Sequence, residues 1–265
     1  MRRHSIENTP NIRSLAKFHF IAGLPRSGVS LLTALLNQNP RFMAGDNDTA
    51  EVTLTKIVES LADSRSGLEL LDQAQKIALL RGVLDAVYHD RPLGSVVFDA
   101  NRNWLAHTDQ LVALFPLARF IICVRNPASI VNSIELSGPL NGDEQSLAKS
   151  ATKLMGIKGE IGREIDQLRM ALSGQHTERM FVLDYDRLTD DPEEVMDALY
   201  DFLREPEFAH DFENLGGRTA GLSGPVHRAQ RPLVLPTRLI LQLSGAAFWR
   251  NLKRTSATMM LGRAR

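Results

Sequence analysis

One cysteine, Cys123, is present in the whole chain. That excludes an intramolecular disulfide and any cysteine-built zinc site. The thiol lies inside the apolar run Phe120–Val124, where it reads as a buried, inert side chain rather than a nucleophile. Net charge is absent as well, with 31 basic residues against 31 acidic ones. The chain therefore offers no electrostatic footprint for nucleic acid or for an anionic membrane, and any anion site must be local. No apolar run reaches the length of a membrane span. The N-terminal stretch MRRHSIENTPNIRSLAK carries charge without an apolar core, so it does not read as a secretory signal, and a cytoplasmic location is expected. The seven histidines show no HxxxH or HExxH spacing, which argues against a metal centre.

What is present is ordinary in bulk: 265 residues, 43% hydrophobic and 23% charged. These values suit one α/β domain with a sizeable core. Residues 1–17 read as a polar leader and 18–265 as that single domain. The chain is organised around residues 18–38, FHFIAGLPRSGVSLLTALLNQ. Phe18 to Ala22 has the length and flanks of a buried strand, Gly23 to Gly28 is a turn, and Leu31, Leu32, Leu35 and Leu36 recur at helical spacing. A strand, a glycine-bounded loop and a helix start make an anion site, because unpaired N–H groups and the helix dipole favour a phosphate there.

The loop almost fits the Walker A pattern. Gly23 and Gly28 are spaced correctly and Ser30 stands in the Ser/Thr position, but Val29 replaces the lysine. Arg26 brings a different cation into the loop. That argues against a nucleoside triphosphatase and for another nucleotide. Ser27 and Ser30 are equally suited to capping the helix.

Further along, a loop with two acids, Asp46 and Asp48, precedes a helix from about residue 49 to 61. A longer helical stretch spans 68–88. Strands are predicted at Val96–Ala100, Arg119–Val124 and Met180–Asp184, separated by helices. Asn126 and Pro127 start a helix directly after the third strand, and Asp191-Pro192 starts another near the end of the pattern. A long helix over 144–172 carries Gly156, Gly159 and Gly162 as interruptions. Residues 216–236, rich in Gly, Pro and basic side chains, read as a lid, with His227 beside Arg228. Leu239–Arg265 reads first as a helix covering the core and second as a homodimer contact. Strands alternating with helices predict a parallel sheet with crossovers.

In such a sheet, ligands bind beyond the carboxyl ends of the strands. The first strand end delivers Arg26, the second Asp99, Asn101 and Arg102, the third Arg125 with Ser133, and the fourth Asp184 and Tyr185. Two strand–arginine–helix junctions on one edge suit a ligand with two separated phosphates.

These segments resemble a known family. Gly23-Leu24-Pro25-Arg26-Ser27-Gly28-Val29-Ser30 resembles the 5′-phosphosulfate-binding loop of sulfotransferases that use 3′-phosphoadenylyl sulfate (PAPS). Cys123-Val124-Arg125-Asn126-Pro127 with Ser133 resembles their 3′-phosphate-binding segment. The likeness continues through Val97–Arg102 and Leu183–Leu188 to Phe212, and is nearer to bacterial members and the protein-tyrosine branch than to steroid or phenol enzymes. It implies a P-loop-NTPase-like three-layer α/β fold, with a parallel sheet of about four or five strands flanked by helices.

Carried over by position, the resemblance assigns Pro25, Arg26, Ser27, Gly28, Val29 and Ser30 to the 5′-phosphosulfate, and Arg125 and Ser133 to the 3′-phosphate. Tyr185 would contact the nucleotide, and Arg228 and Arg231 would close over it. Arg102 falls where the tyrosine-sulfating branch has a catalytic lysine, and with Arg26 would neutralise charge at the bridging oxygen. That branch's glutamate base aligns with Asn47, which leaves Asp46 as the favoured base, then Asp48, then Asp99. The implied reaction is sulfuryl transfer from PAPS to a hydroxyl of a small molecule, without a metal, releasing adenosine 3′,5′-bisphosphate. A nucleotide or small-molecule kinase and a catalytically inactive nucleotide-binding protein are the alternatives.

Overall fold

Strand β1 (Lys17–Gly23) takes the centre of a five-stranded, fully parallel sheet in the computed structural model, which describes residues 17–135, 144–156 and 158–215. β1 pairs with β3 (Val96–Ala100) on one side and β4 (Phe120–Val124) on the other; β2 (Phe42–Asp46) and β5 (Met180–Asp184) form the outer strands. The three strands predicted after β1 are all present. β2 is an addition: the stretch expected to be a loop pairs along β3, and Asp46 stands opposite Ala100.

Alternation along β1 divides the core. Phe18, Phe20 and Ala22 point into one hydrophobic cluster, and Ile21 into the other. The first cluster is covered by α2 (Asp48–Ala62), α3 (Gln73–Val87), α4 (Thr108–Leu114), α5 (Pro127–Glu135), α6 (Glu144–Met155) and α7 (Glu160–Leu172). The second is covered by α1 (Val29–Leu36), α8 (Tyr185–Asp190) and α9 (Pro192–Leu203). Helices on both faces of a parallel sheet make three layers.

Local signals set most helix ends. Asp72 and Gln75 form a reciprocal capping box at α3, which satisfies two orphan N–H groups. This box splits the predicted 68–88 helix, leaving a single 3₁₀ turn at Leu68–Leu70 ahead of it. Gly156 and Gly159 likewise divide the predicted 144–172 helix into α6 and α7. Asp191 accepts from the Glu194 N–H at 3.3 Å, with Pro192 as the first helical residue of α9.

Lys17 belongs to β1 rather than to a leader. Its Nζ donates to Glu205 Oε1 at 2.7 Å, and Arg41 Nη2 donates to Glu205 Oε2 at 2.9 Å. The Glu205 side chain is only 1% exposed, so this carboxylate needs both cations. It ties the segment after α9 to the starts of β1 and β2.

Close approach of strands explains one glycine. A Cβ on Gly23 would stand 2.9 Å from Cys123 Cβ and closer still to the Cys123 carbonyl oxygen. Gly23→Ala must separate β1 from β4, at a cost of about 3 kcal/mol. The expected fall in melting temperature is about 6–12 °C, read by differential scanning calorimetry.

His19, buried in β1, accepts the Arg119 N–H on Nδ1 at 3.1 Å. Burial, then the charges of Arg119 and Lys17, lower its pKa from 6.5 to about 3. Below 6.5 the unfolded chain binds a proton that the folded chain refuses, so this residue makes stability fall as pH drops toward about 3. His19→Asn keeps an acceptor for the Arg119 N–H but cannot titrate. Urea unfolding at a series of pH values should show that limb flattened by up to about 1.4 kcal/mol per pH unit.

Candidate active site

The sheet delivers its carboxyl ends to one open cleft of about 1330 Å³. Strand order reverses across β1, the usual place for such a crevice. Pro25–Ser30, Arg125, Ser133 and Tyr185 all line it, as do Asp46, Asp48 and Arg102. Asp99 does not. Its carboxylate is fully buried in β3, accepting from Tyr88 Oη at 2.7 Å and Trp104 Nε1 at 2.9 Å. Burial pushes its pKa up to about 6, against the pull of those two donors. The expectation of Asp99 as a base is therefore corrected: it is an internal anchor for two aromatic side chains. Arg228, Arg231 and His227 lie outside the described residues.

The loop after β1 is held from several sides. Ser27 Oγ donates to the Leu24 carbonyl at 2.5 Å, and the Leu24 N–H donates to the Cys123 carbonyl at 3.1 Å. The Ser27 hydroxyl is thus spent inside the loop, and neither Ser27 nor Ser30 supplies a side-chain cap to α1, whose N-cap is Gly28. Arg26 adopts φ 58° and Gly28 φ 96°. The left-handed conformation costs a non-glycine residue about 1–2 kcal/mol, and contacts around Arg26 hold it there. Arg26 Nε donates to Ser133 Oγ at 3.1 Å, and Arg125 Nη1 donates to the Arg26 carbonyl at 3.2 Å.

Those two bonds join the segments that the sequence could only match separately. The Arg125 guanidinium also lies over the Tyr185 ring, with Cζ 4.1 Å from the ring centroid. A Cβ on Gly28 would meet Tyr185 Cδ2 at 2.6 Å, so the ring packs directly against the glycine. The loops following β1 and β4 and the start of α8 after β5 therefore meet at one cationic end of the cleft.

The other end is rich in carboxylates. Asp46 closes β2 and Asp48 opens α2; Asn101 Nδ2 donates to Asp48 Oδ1 at 3.0 Å. Burial and the neighbouring Asp48 raise the Asp46 pKa, while the Arg102 charge lowers it. Glu51, on the first turn of α2, also lines the cleft; its Oε1 accepts from Thr55 Oγ1 at 3.0 Å. Arg102 Nη1 donates to Glu160 Oε1 and, at 3.1 Å, to Glu164 Oε1. Burial raises Glu164 to about 7 despite Arg102. Sequence reading missed Glu51, Glu160 and Glu164. The helical acids carried no local signature, and the Arg102 contacts join positions far apart in the chain.

A parallel sheet with a glycine-bounded anion loop after its central strand defines a nucleotide-handling α/β protein of the P-loop-like class. Residues 19–210 match the sulfotransferase family, and the chain belongs to that family. It is a sulfotransferase, and the family's sulfuryl donor is PAPS. Solved structures share the fold. The sulfotransferase domain of the Synechococcus PCC 7002 olefin synthase is 20% identical, with a TM-score of 0.51 over 97% of this chain and 98% of that one. A sulfotransferase from Alicyclobacillus acidocaldarius is 17% identical, with a TM-score of 0.52 over 92% and 95%. Sulfotransferase STF1 from Mycobacterium tuberculosis is 13% identical, with a TM-score of 0.52 over 88% and 78%. No curated protein matches the sequence significantly. Among the described residues, no helix is long and apolar enough to cross a membrane.

Proposed function

We propose that this sulfotransferase sulfates a hydroxyl of a small molecule, with the donor nucleotide at the Arg26–Arg125 end of the cleft and the acceptor at the Asp46–Arg102 end. The observation that carries this reading is the Arg26–Ser133 and Arg125–Arg26 bonding, which fixes two arginine segments side by side. The residues present suit the donor. Two cationic loops match its two phosphate positions, and the Tyr185 ring over Gly28 gives the loop a flat wall with no Cβ in the way.

When bound, the donor supplies a sulfuryl group. Its S–O bond to the 5′-phosphate breaks as one to the acceptor oxygen forms, with the electron pair left on the phosphate and the hydroxyl proton passed to a base. Arg26 and the N–H groups of Ser27–Ser30 receive the charge that grows on the phosphate; such fixed donors stabilise the transition state without reorganising. Arg125 and Ser133 hold the 3′-phosphate. Asp46 takes the acceptor proton: it faces the cleft beside Arg102, and its raised pKa makes it a stronger base than an ordinary aspartate. Asp48 instead holds Asn101.

The lone buried thiol of Cys123 suits a cytoplasmic location. Calorimetric titration with adenosine 3′,5′-bisphosphate, adenosine 5′-phosphate and ATP tests the nucleotide assignment. Preference for the bisphosphate by about 100-fold, or 2.7 kcal/mol, is expected. Tighter binding of ATP overturns it in favour of a kinase. Labelled PAPS with a panel of hydroxyl compounds then identifies the acceptor, and nucleotide binding without transfer to any of them points to an inactive binding protein.

A further inference from the structure

Arg102 does not face the cleft alone. One of its guanidinium nitrogens, Nη1, meets both Glu160 and Glu164, which stand one turn apart on α7. The two carboxylates differ in setting. Glu164's side chain is 14% exposed and Glu160's 44%. Glu164 and Arg102 also border a small pocket of about 10 Å³ with Leu105, Ile122 and Leu168, which Glu160 does not reach. Glu164 is thus packed from the core side. Glu160 is the first residue of α7, immediately after the Gly156–Gly159 break.

Resting on the reading of Arg102, with Arg26, as a cation that neutralises charge at the bridging oxygen, we propose that Glu164 positions the Arg102 guanidinium for transfer, whereas Glu160 is a displaceable carboxylate that occupies Arg102 until the donor anion replaces it. Two carboxylates on one cation leave an excess of negative charge where an anionic donor must approach. Release of one of them relieves that excess. Withdrawing Arg102 from Glu164 would leave a largely buried acid without its cation, which is costly. Glu160 is half in water, loses little on release, and remains favourably placed at the N-terminus of its own helix. Arg163, on the same helix, and Asp46, from β2, are the other charged groups that act on this pair. They leave the asymmetry intact, because Glu164 stays the inner partner.

The test uses the full chain with PAPS and water as the sulfuryl acceptor. The water oxygen bonds to sulfur as the S–O bond to the phosphate breaks, giving sulfate and adenosine 3′,5′-bisphosphate with release of both water protons. Single-turnover rate constants and calorimetric dissociation constants are measured together. Arg102→Ala should slow transfer about 100-fold. Glu164→Gln should slow it at least about 10-fold through misplacement of the guanidinium, with PAPS affinity little changed. Glu160→Gln should instead bind PAPS about 3- to 5-fold more tightly, the scale of a half-exposed ion pair. If Glu164→Gln does not fold, Glu164→Asp provides the same comparison. Equal behaviour of the Glu160 and Glu164 variants overturns the proposal, as does a Glu164 variant that loses affinity but keeps its rate. A wild-type rate in Arg102→Ala locates the failure in the placement of Arg102 and defeats the proposal with it. Failure of the wild-type chain to bind PAPS locates it in the donor assignment.

Discussion

Asp46→Asn is expected to lower turnover by about 10²- to 10⁴-fold, the contribution of a positioned base. The substitution preserves size and removes only the ability to take the acceptor proton. Asp46 ends an edge strand with its carboxyl in the cleft, so the change should leave the melting temperature nearly unaltered. The pH profile supplies the signature. A base must be deprotonated to act, and burial with the adjacent Asp48 raises the pKa of Asp46. Activity of the native protein should therefore fall on the acid side at a pH above the ordinary aspartate range, and the residual activity of Asp46→Asn should lack that limb. Asp48→Asn is the control. Asp48 receives the Asn101 amide, and its variant should lose less than about 10-fold, the scale of one hydrogen bond. Equal losses in the two variants would refute the choice of Asp46.

The second large effect concerns Arg125. Its guanidinium stacks on Tyr185 and supports the Arg26 carbonyl. Arg125→Ala should weaken adenosine 3′,5′-bisphosphate about 100-fold, or 2.7 kcal/mol. Adenosine 5′-phosphate should lose much less, only the share due to slackening of the Arg26 loop. Calorimetry with both nucleotides separates the two contributions. A uniform loss would make Arg125 a scaffold of the loop; a selective loss makes it the reader of the 3′-phosphate. Arg125→Lys should recover only part of the affinity, because an ammonium cannot reproduce the planar stack on Tyr185 or the forked donor geometry.

Most of the frame was legible because its signals are local. Apolar runs gave β1, β3, β4 and β5, and Asn126-Pro127 and Asp191-Pro192 marked helix starts within a residue. β2 was hidden: Phe42-Met43-Ala44-Gly45-Asp46 is short and ends in Gly and Asp, residues poor in strand propensity, and only pairing along β3 makes it a strand. The arginine loops were legible from strand–basic residue–helix junctions, yet the bonds between them span about a hundred positions and leave no periodic trace. Asp99 misled for a related reason. A carboxylate at a strand end looks available until Tyr88 and Trp104 are found on it. Glu160 and Glu164 were equally invisible, since an acid on an amphipathic helix reads as solvated until its distant cation is in place.

The cross-links among the segments after β1, β4 and β5 also govern how ligand and folding influence one another. Arg26, Arg125 and Tyr185 come together only when β4 has paired with β1 on one side and β5 on the other, so a partly folded chain lacks the complete set. Ligand spanning these groups binds the native state alone, and mass action then adds RT ln(1 + [L]/Kd) to the free energy of unfolding. Saturation at a hundred times Kd amounts to about 2.7 kcal/mol. A chain weakened at Gly23, where β1 and β4 lie too close for a Cβ, should therefore regain by nucleotide binding much of the thermal resistance it lost, in proportion to the logarithm of ligand concentration.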